Sequence, residues 1–409
     1  MEASGWFFIA APYLIGFLIC FIMIGAPVAV ALAASSFIFV FLYEVPVDLV
    51  ASQIMHLFGS EYWIAIPAFI LAGTLQRTAG GSKRVWDFFA LHLGRSKSAL
   101  SLSAMITELL YPDFDGDAIT LRNDVATARM KDLQEAGFSA KASLRLIAAT
   151  SATRLISPPS IGLILVGFFA GTSIYEIFLA AIVISVIVYS AAFLSGLIYI
   201  RGRVLENWSK NLRPGGVAGA LPWLLAPVII LGIFFMGIVT PSEMAIVAVG
   251  CFALLGIVQR SLTIKQAVRA SVDTLQRAGS IFLIVLFALV YSRLLVLYGV
   301  PYMTASPSLA LVEMGMISVL CCLIVGPIAA AVIIGSVFFP AIGESSNPMA
   351  GCVAMILGIA IGSIIPPFGP VFAILVRNTK EQFNKLARGT AAFVLPLLLP
   401  LMFFIYGMI

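Results

Sequence analysis

The chain has 409 residues, of which 61% are hydrophobic and 11% charged, with a formal net charge of +5 and a mean hydropathy of +1.08. Soluble globular chains carry about 25% charge, so this composition excludes a soluble enzyme and describes a polytopic membrane protein. The positive residues are scattered over several short loops instead of forming one basic face, which excludes a nucleic-acid-binding surface.

In chain order, Trp6 to Ile24 lacks a basic leader and is as long as a span, so it reads as a first membrane helix and not a cleavable signal peptide. Pro27 to Tyr43 and Tyr62 to Gln76 read as the second and third spans. Such runs are helices because lipid offers no partner to an exposed backbone amide or carbonyl. The next apolar segment, Ala99 to Leu110, is too short to cross a hydrocarbon core of about 30 Å. It runs into Tyr111-Pro-Asp-Phe-Asp-Gly-Asp117, where the charge rises abruptly. A re-entrant hairpin over about residues 98–136 accounts for both facts, followed by a span over about 143–170 and another from Phe178 to Ile200.

The second half repeats the order. Leu221 to Met236, Met244 to Val258 and Gly279 to Tyr298 are spans, residues 307–340 are a hairpin broken by Gly326, Pro327 and Gly335, and spans follow over 352–376 and Ala391 to Ile409. Lysine and arginine cluster in Arg77 to Lys97, Arg201 to Arg213, Arg260 to Arg277 and Arg377 to Arg388. The loops Glu44 to Glu61, Gly171 to Glu176, Gly237 to Glu243 and Gly299 to Ser308 have neither. Basic loops stay in the cytoplasm, so the two halves, 1–213 and 214–409, face opposite ways. The expected fold is an all-α polytopic membrane protein of two inverted-topology repeats, each with a re-entrant helical hairpin and a broken span.

Matched breakers support the repeat. Ser157-Pro158-Pro159-Ser160 and Ile365-Pro366-Pro367-Phe368 each lie inside their half's broken span. Each Pro-Pro step removes two amide donors and frees backbone carbonyls. Paired interruptions at corresponding places in two halves point to a transporter binding site near the bilayer midplane. The five cysteines sit in apolar runs without metal-ligand spacing, and His56 and His92 are isolated, so neither set suggests chemistry. No nucleotide-binding G-x-x-x-x-G-K-[ST] loop is present.

The chain resembles the large membrane subunit of the TRAP (tripartite ATP-independent periplasmic) transporters. The resemblance rests on Gly25-Ala-Pro-Val-Ala29, Ile66-Pro-Ala-Phe-Ile-Leu-Ala-Gly73, Gly137-Phe138, Pro158-Pro159-Ser160, Thr240-Pro-Ser-Glu243 and Gly362 followed by Pro366-Pro367-Phe-Gly369. It covers essentially the whole chain. It implies an elevator-type mechanism, no enzymatic activity, no cofactor, and sodium as the coupling ion. It further implies import of an organic acid such as a dicarboxylate or sugar acid, delivered by a periplasmic substrate-binding protein. A separate small four-helix membrane subunit and an inner-membrane location complete the expectation. Carried onto this sequence, the sodium ligands fall at Gly116 and Asp117 in the first hairpin tip, Ser157 and Pro158 in the first broken span, Gly326 in the second tip, and Gly362, Ser363 and Pro366 in the second broken span. Arg154, with Thr153 beside it, and Arg293 are the candidate substrate-binding residues.

Where the family's first tip is rich in small residues, this chain has Asp113, Asp115, Asp117 and Asp124 around Gly116, and Gly326 replaces the family's usual aspartate. Four readings stand for the aspartates. They form a cation or proton site, with Arg122 and Arg154 as partners and Arg154 near the substrate. They belong to a wet cytoplasmic segment running to Arg145. They approximate a calcium loop, though its turn-making glycine is misplaced. Or Phe114-Asp115-Gly116-Asp117 echoes an intramembrane aspartyl protease, whose chemistry needs a second carboxylate. A transporter coupled to ions or protons without a binding protein is a further alternative. Arg293 reads as an intramembrane charge paired with Glu313, facing substrate or snorkelling, and Glu243 as the capping acid of the helix it opens.

Overall fold

The computed structural model describes residues 4–60, 62–93, 96–111, 125–199, 204, 216–298, 307–342, 348–365 and 369. Sixteen α-helices are formed among these residues. The first half contains α1 (Ser4–Met23), α2 (Val28–Leu42), α3 (Val47–Phe58), α4 (Tyr62–Thr78) and α5 (Gly81–Leu93). It continues with α6 (Lys97–Leu110), α7 (Val125–Glu135), α8 (Ala140–Ile156), α9 (Ile161–Ala170) and α10 (Ile174–Tyr199). The second half contains α11 (Gly216–Phe235), α12 (Pro241–Val258), α13 (Ile264–Leu297), α14 (Pro307–Val325), α15 (Pro327–Ile342) and α16 (Pro348–Ile364). Within α11, α12 and α13 lie three stretches long and apolar enough to cross a membrane, and seven shorter apolar helical stretches accompany them.

Three regions read as loops are helical. α3 occupies the acidic loop between the second and third spans; Pro46 precedes it and Asp48 sits in its first turn, where negative charge suits the amide end. α5 occupies the basic loop and buries Val85, Trp86, Asp87 and Ala90. α13 runs unbroken through the basic segment ending at Arg277 and into the span beyond it; its 34 residues extend about 51 Å at 1.5 Å per residue. The reason lies in the periodicity: Ala270, Thr274, Ala278, Ile281, Val285 and Ala288 form one buried stripe straight through the charged stretch. Reciprocal capping by Thr263 and Gln266 starts this helix, as Thr240 and Glu243 start α12, the latter as the sequence indicates.

The first hairpin closes at its base. Lys97, opening α6, donates from Nζ to the Gly137 carbonyl just beyond α7 and lies 5.6 Å from the centre of the Phe138 ring. The second hairpin is tighter. Between α14 and α15 stands Gly326 alone, at φ +85°. Its amide still bonds the Cys322 carbonyl at 3.0 Å while its own carbonyl accepts from Ala330 at 2.9 Å, so one helix ends and the next begins on a single residue. A residue with a Cβ meets steric opposition at that φ, which is what glycine avoids. Gly335, expected to help break this hairpin, instead lies inside α15, where a Cβ would come within 2.9 Å of the Phe169 Cβ; it admits α9 and does not turn the chain.

The helices interleave across the halves. α4 packs along α12 and α13, α2 along α13, α15 along α9, and α8 along α16 and α10. α14 and α16 form the most intimate pair: a Cβ on Gly358 would stand 2.4 Å from the Gly315 carbonyl oxygen, and one on Gly362 2.6 Å from that of Val319. In lipid, where no hydrophobic force separates one apolar surface from another, such backbone contact is a main source of cohesion. A second knot surrounds the buried Trp223 of α11. Its indole N–H donates to Gln259 Oε1 at 2.9 Å, Tyr111 at the end of α6 donates its hydroxyl to the Trp223 carbonyl, and Gly81 opens α5 against the ring face.

Candidate functional site

The candidate region begins where α8 stops. Pro158 and Pro159 have no amide hydrogens, so the helical bonds that would have reached the carbonyls of Arg154 and Leu155 cannot form. The chain bends over residues 157–160 and resumes as α9. Both serines of the break are buried, Ser157 completely and Ser160 to 1% exposure. Ser160 is the N-cap of α9, yet its side chain caps nothing, and its Oγ has no hydrogen-bond partner among the described residues.

Immediately before the break, Arg154 turns to a carboxylate. Its Nε lies 3.1 Å from Oε2 of Glu108 on α6, and Oε1 of Glu108 lies 3.9 Å from Nη2 of Arg129 on α7. The Arg129 guanidinium stacks 3.8 Å from the centre of the Trp86 ring, the flat-on geometry in which a cation meets the negative face of an indole. Beyond it Lys83 pairs with Asp87 at 3.2 Å. Burial pushes the Asp87 carboxyl above its ordinary range, with Lys83 pulling the other way. A row of alternating charges thus runs from the break in α8, across both arms of the first hairpin, to the exposed Lys83 on α5. Sequence reading paired Arg154 with the aspartates; among the described residues its ion-pair partner is Glu108. The available signal was an acid inside the short apolar segment 99–110, since an ionisable residue in such a segment has a partner by necessity.

The break also faces the second hairpin. Leu155 at the end of α8, Gly162 and Val166 of α9, Pro327, Ile328 and Ala331 of α15, and Ile356 and Ile359 of α16 line a small cleft. Gly162 belongs to the first turn of α9, and Pro327 and Ile328 to the first turn of α15. Two helix N-termini, each with amides that have no intrahelical acceptor, therefore meet at one cleft.

Of the expected sodium ligands, Ser157 and Pro158 lie at the first break and Gly326 at the second tip. Gly362 and Ser363 form the last turn of α16, both fully enclosed, with Ser363 Oγ donating to the Ala360 carbonyl at 2.7 Å. Gly116, Asp117 and Pro366 fall outside the described residues, as does the whole aspartate run from Asp113 to Asp124. Thr153 lies in the last turns of α8, one position before Arg154. Arg293 lies on an exposed face of α13 and makes no ion pair with Glu313. Among the described residues no cluster of histidine, cysteine and carboxylate side chains suited to a metal ion is found.

The fold matches a known transporter structure, that of YdaH from Alcanivorax borkumensis, with a TM-score of 0.61 over 86% of this chain and 88% of that one at 16% identity. In sequence, the chain is 28% identical over 396 residues to the ectoine TRAP transporter large permease protein TeaC of Halomonas elongata, covering 92% of each. It is 26% identical over 408 residues to the 2,3-diketo-L-gulonate TRAP transporter large permease protein YiaN of Escherichia coli, covering 96% of each. It is 25% identical over 391 residues to the sialic acid TRAP transporter large permease protein SiaM of Vibrio cholerae, covering 92% of this chain and 91% of that one. These relatives are transport permeases, not enzymes, which sets the protease alternative aside. With residues 15–408 matching the tripartite ATP-independent periplasmic transporter DctM component, the chain belongs to that family of integral membrane permeases.

Proposed function

We propose that this protein is the translocating subunit of an importer that uses a sodium gradient to carry an organic acid across the inner membrane. The observation that carries the reading is the cleft at which the first chain break, the second hairpin tip and α16 meet. Paired interruptions of this kind are where secondary transporters place substrate and ion. Pro158 and Pro159 free the carbonyls of Arg154 and Leu155, and Pro366 and Pro367 free those of Gly362 and Ser363. Hard cations such as sodium prefer oxygen ligands of this kind, and with Ser157, Gly326 and the first tip at Gly116 and Asp117 they make up the proposed sodium-binding set.

The contact pattern supports two inverted repeats. The second span of one half packs on the third of the other in both directions, α2 on α13 and α12 on α4, while the first two spans pair within each half, α1 with α2 and α11 with α12. α8 and α16, the paired broken spans, contact each other. On this reading the hairpins and broken spans form a moving unit, the remaining spans a frame, and transport proceeds by an elevator stroke. The TRAP name of the relatives supports a periplasmic binding protein that delivers the acid and a small membrane subunit that completes the frame.

The test is uptake by proteoliposomes holding this chain with its cognate small subunit and binding protein. Accumulation of a carboxylate under an inward sodium gradient, abolished by collapsing that gradient with an ionophore, is expected. Uptake that follows a proton gradient alone, or proceeds unchanged without the binding protein, would overturn the reading.

A further inference from the structure

A proline inside a helix leaves the carbonyl four residues before it without its helical donor. Pro227 lies inside α11, and the carbonyl it frees in this way is that of Trp223. Tyr111, the residue that ends α6, donates its hydroxyl to that same carbonyl. Tyr111 is 4% exposed and Trp223 fully enclosed. A buried polar group without a partner is costly, so each of these two groups supplies what the other needs.

The two residues belong to different parts of the molecule. Trp223 is fixed among the spans: its indole donates to Gln259 Oε1 at 2.9 Å, Gln259 Nε2 donates to the Gly219 carbonyl at 3.1 Å, and the Phe252 ring of α12 stacks parallel to it at 6.1 Å. Tyr111 belongs to the first hairpin, whose arm α6 packs chiefly on α5, α8 and α10 and only lightly on α11. The height of the contact is also informative. α6 starts at Lys97, in a basic run, and its 14 residues extend about 21 Å to Tyr111. Trp223 stands about 10 Å into α11 from the end that follows the basic run Arg201 to Arg213, and Gln259 directly precedes the next basic run. Basic runs mark the cytoplasmic side. The inner end of the hairpin arm therefore meets the spans close to their cytoplasmic edge.

We propose that Tyr111 is a positioning residue for translocation: its hydroxyl, held on the carbonyl that Pro227 frees, keeps the first hairpin in a cytoplasm-facing position. The bond breaks when the hairpin moves outward, and the free energy of breaking it biases the resting protein toward the cytoplasm-facing state. Pro227 is part of the device, because an amide at that position would occupy the carbonyl and leave Tyr111 nothing to hold. This inference rests on the transport reading and its elevator stroke, in which α6 moves and α11 does not.

The experiment pairs a distance with a melting temperature. Spin labels are placed at Lys131→Cys on α7 and Arg269→Cys on α13, both exposed, with the five native cysteines changed to alanine. The chain, with its small membrane subunit, is held in lipid nanodiscs in sodium-containing buffer. Tyr111→Phe keeps the ring and removes the hydroxyl. It is expected to shift the ratio of the parent distance to a second one by about fivefold, the effect of one ordinary hydrogen bond, and to lower Tm by about 2 °C. Tyr111→Phe combined with Pro227→Ala leaves neither group without a partner, so Tm should return to the parent value or above while the distance ratio stays shifted. One unchanging distance in the parent and both variants overturns the inference. A double variant that regains the parent ratio together with the parent Tm overturns it too, because the bond would then be merely structural. A double variant that melts as low as Tyr111→Phe shows that the freed carbonyl was not the acceptor, and overturns it as well. Sodium-driven carboxylate uptake by the parent in proteoliposomes is the separate measure of the transport reading: uptake with an unchanging distance sinks this inference alone, and failure of all sodium-driven uptake sinks the transport reading.

Discussion

Glu108 Oε2 lies 3.1 Å from Arg154 Nε, joining the outgoing arm of the first hairpin to the last turn of α8 just before it breaks. The same carboxylate reaches Arg129 on the returning arm at 3.9 Å. One acid therefore ties three helices together at the point where the backbone gives up its own hydrogen bonds. The pair holds the end of α8 in place, while the small cleft lined by Leu155, Gly162 and Val166 lies against α15 and α16.

Glu108→Ala removes the carboxylate that two largely buried guanidinium groups share. Taking one partner from a buried pair costs about 3–5 kcal/mol, so the variant should lose most of its thermal stability in detergent. Replacing Glu108 and Arg154 together by methionine removes both charges and should cost much less than the sum of the single substitutions. Additive losses in that double-mutant cycle would show that the two side chains do not interact. Glu108→Asp, if the role is positional, should restore stability only in part, because the shorter side chain cannot hold both arms.

Gly358 and Gly362 let α16 approach α14 to backbone contact. Gly358→Ala would place its Cβ 2.4 Å from the Gly315 carbonyl, where nothing flexible can give. Overpacking of this kind costs about 1–3 kcal/mol. Gly351→Ala is the informative contrast, since its Cβ would meet Met314 Sδ at 3.3 Å, a neighbour that can swing away. Gly250→Ala, with nothing within 4 Å in the middle of α12, should be neutral or stabilising by about 0.5–1 kcal/mol. Equal melting temperatures for the 358 and 250 variants would refute the close α14–α16 packing.

Gly326 poses a purely conformational question. No heavy atom lies within 4 Å of an added Cβ, but φ is +85°, so Gly326→Ala carries only the left-handed backbone cost of about 1–2 kcal/mol. Gly326→Asn should be milder, because asparagine tolerates positive φ better than alanine does. The order glycine, asparagine, alanine in stability is the expected outcome of a thermal unfolding series. Alanine at or above asparagine would mean that the tip is not held in this conformation.

Much of this architecture was legible because it is written in residues with strong backbone consequences. Pro158-Pro159 and Gly326-Pro327 announce the first break and the second tip, and Gly137-Phe138 the base of the first hairpin. α3, α5 and the first half of α13 were not, because loop assignment followed charge, while their helical stripes of small and apolar residues are modest beside the spans. Gly335 shows the converse: a glycine read as a breaker serves instead to admit Phe169. The Glu108–Arg154 pair was illegible for a different reason. Which residues of α6 face α8 is set by the register between two helices whose contact side chains, Glu108 and Arg154, lie 46 residues apart in the chain, and a single sequence has no local signal for it. Ser160, seen in the sequence only as the end of the break, is the N-cap of α9, and only the structure shows that its hydroxyl caps nothing.

Asp87 provides a test by pH. Burial holds its folded pKa above the model-compound value of 3.8 despite Lys83, so the folded state binds the proton more tightly than the unfolded state does. The stabilising contribution of this proton is fully present below the unfolded value and is lost as pH rises through the raised folded value. Asp87→Asn, which keeps the shape without the charge, should therefore melt higher than the parent at pH 7.5, by about 2 °C for each kcal/mol on a chain of this size. The gap should narrow steadily as the buffer is acidified through the raised folded value, where the parent carboxyl takes up its proton as well. Melting curves of the two proteins across that range decide the matter: a gap that widens on acidification would mean that the Lys83 pairing, at 3.2 Å, outweighs the cost of burying the carboxylate.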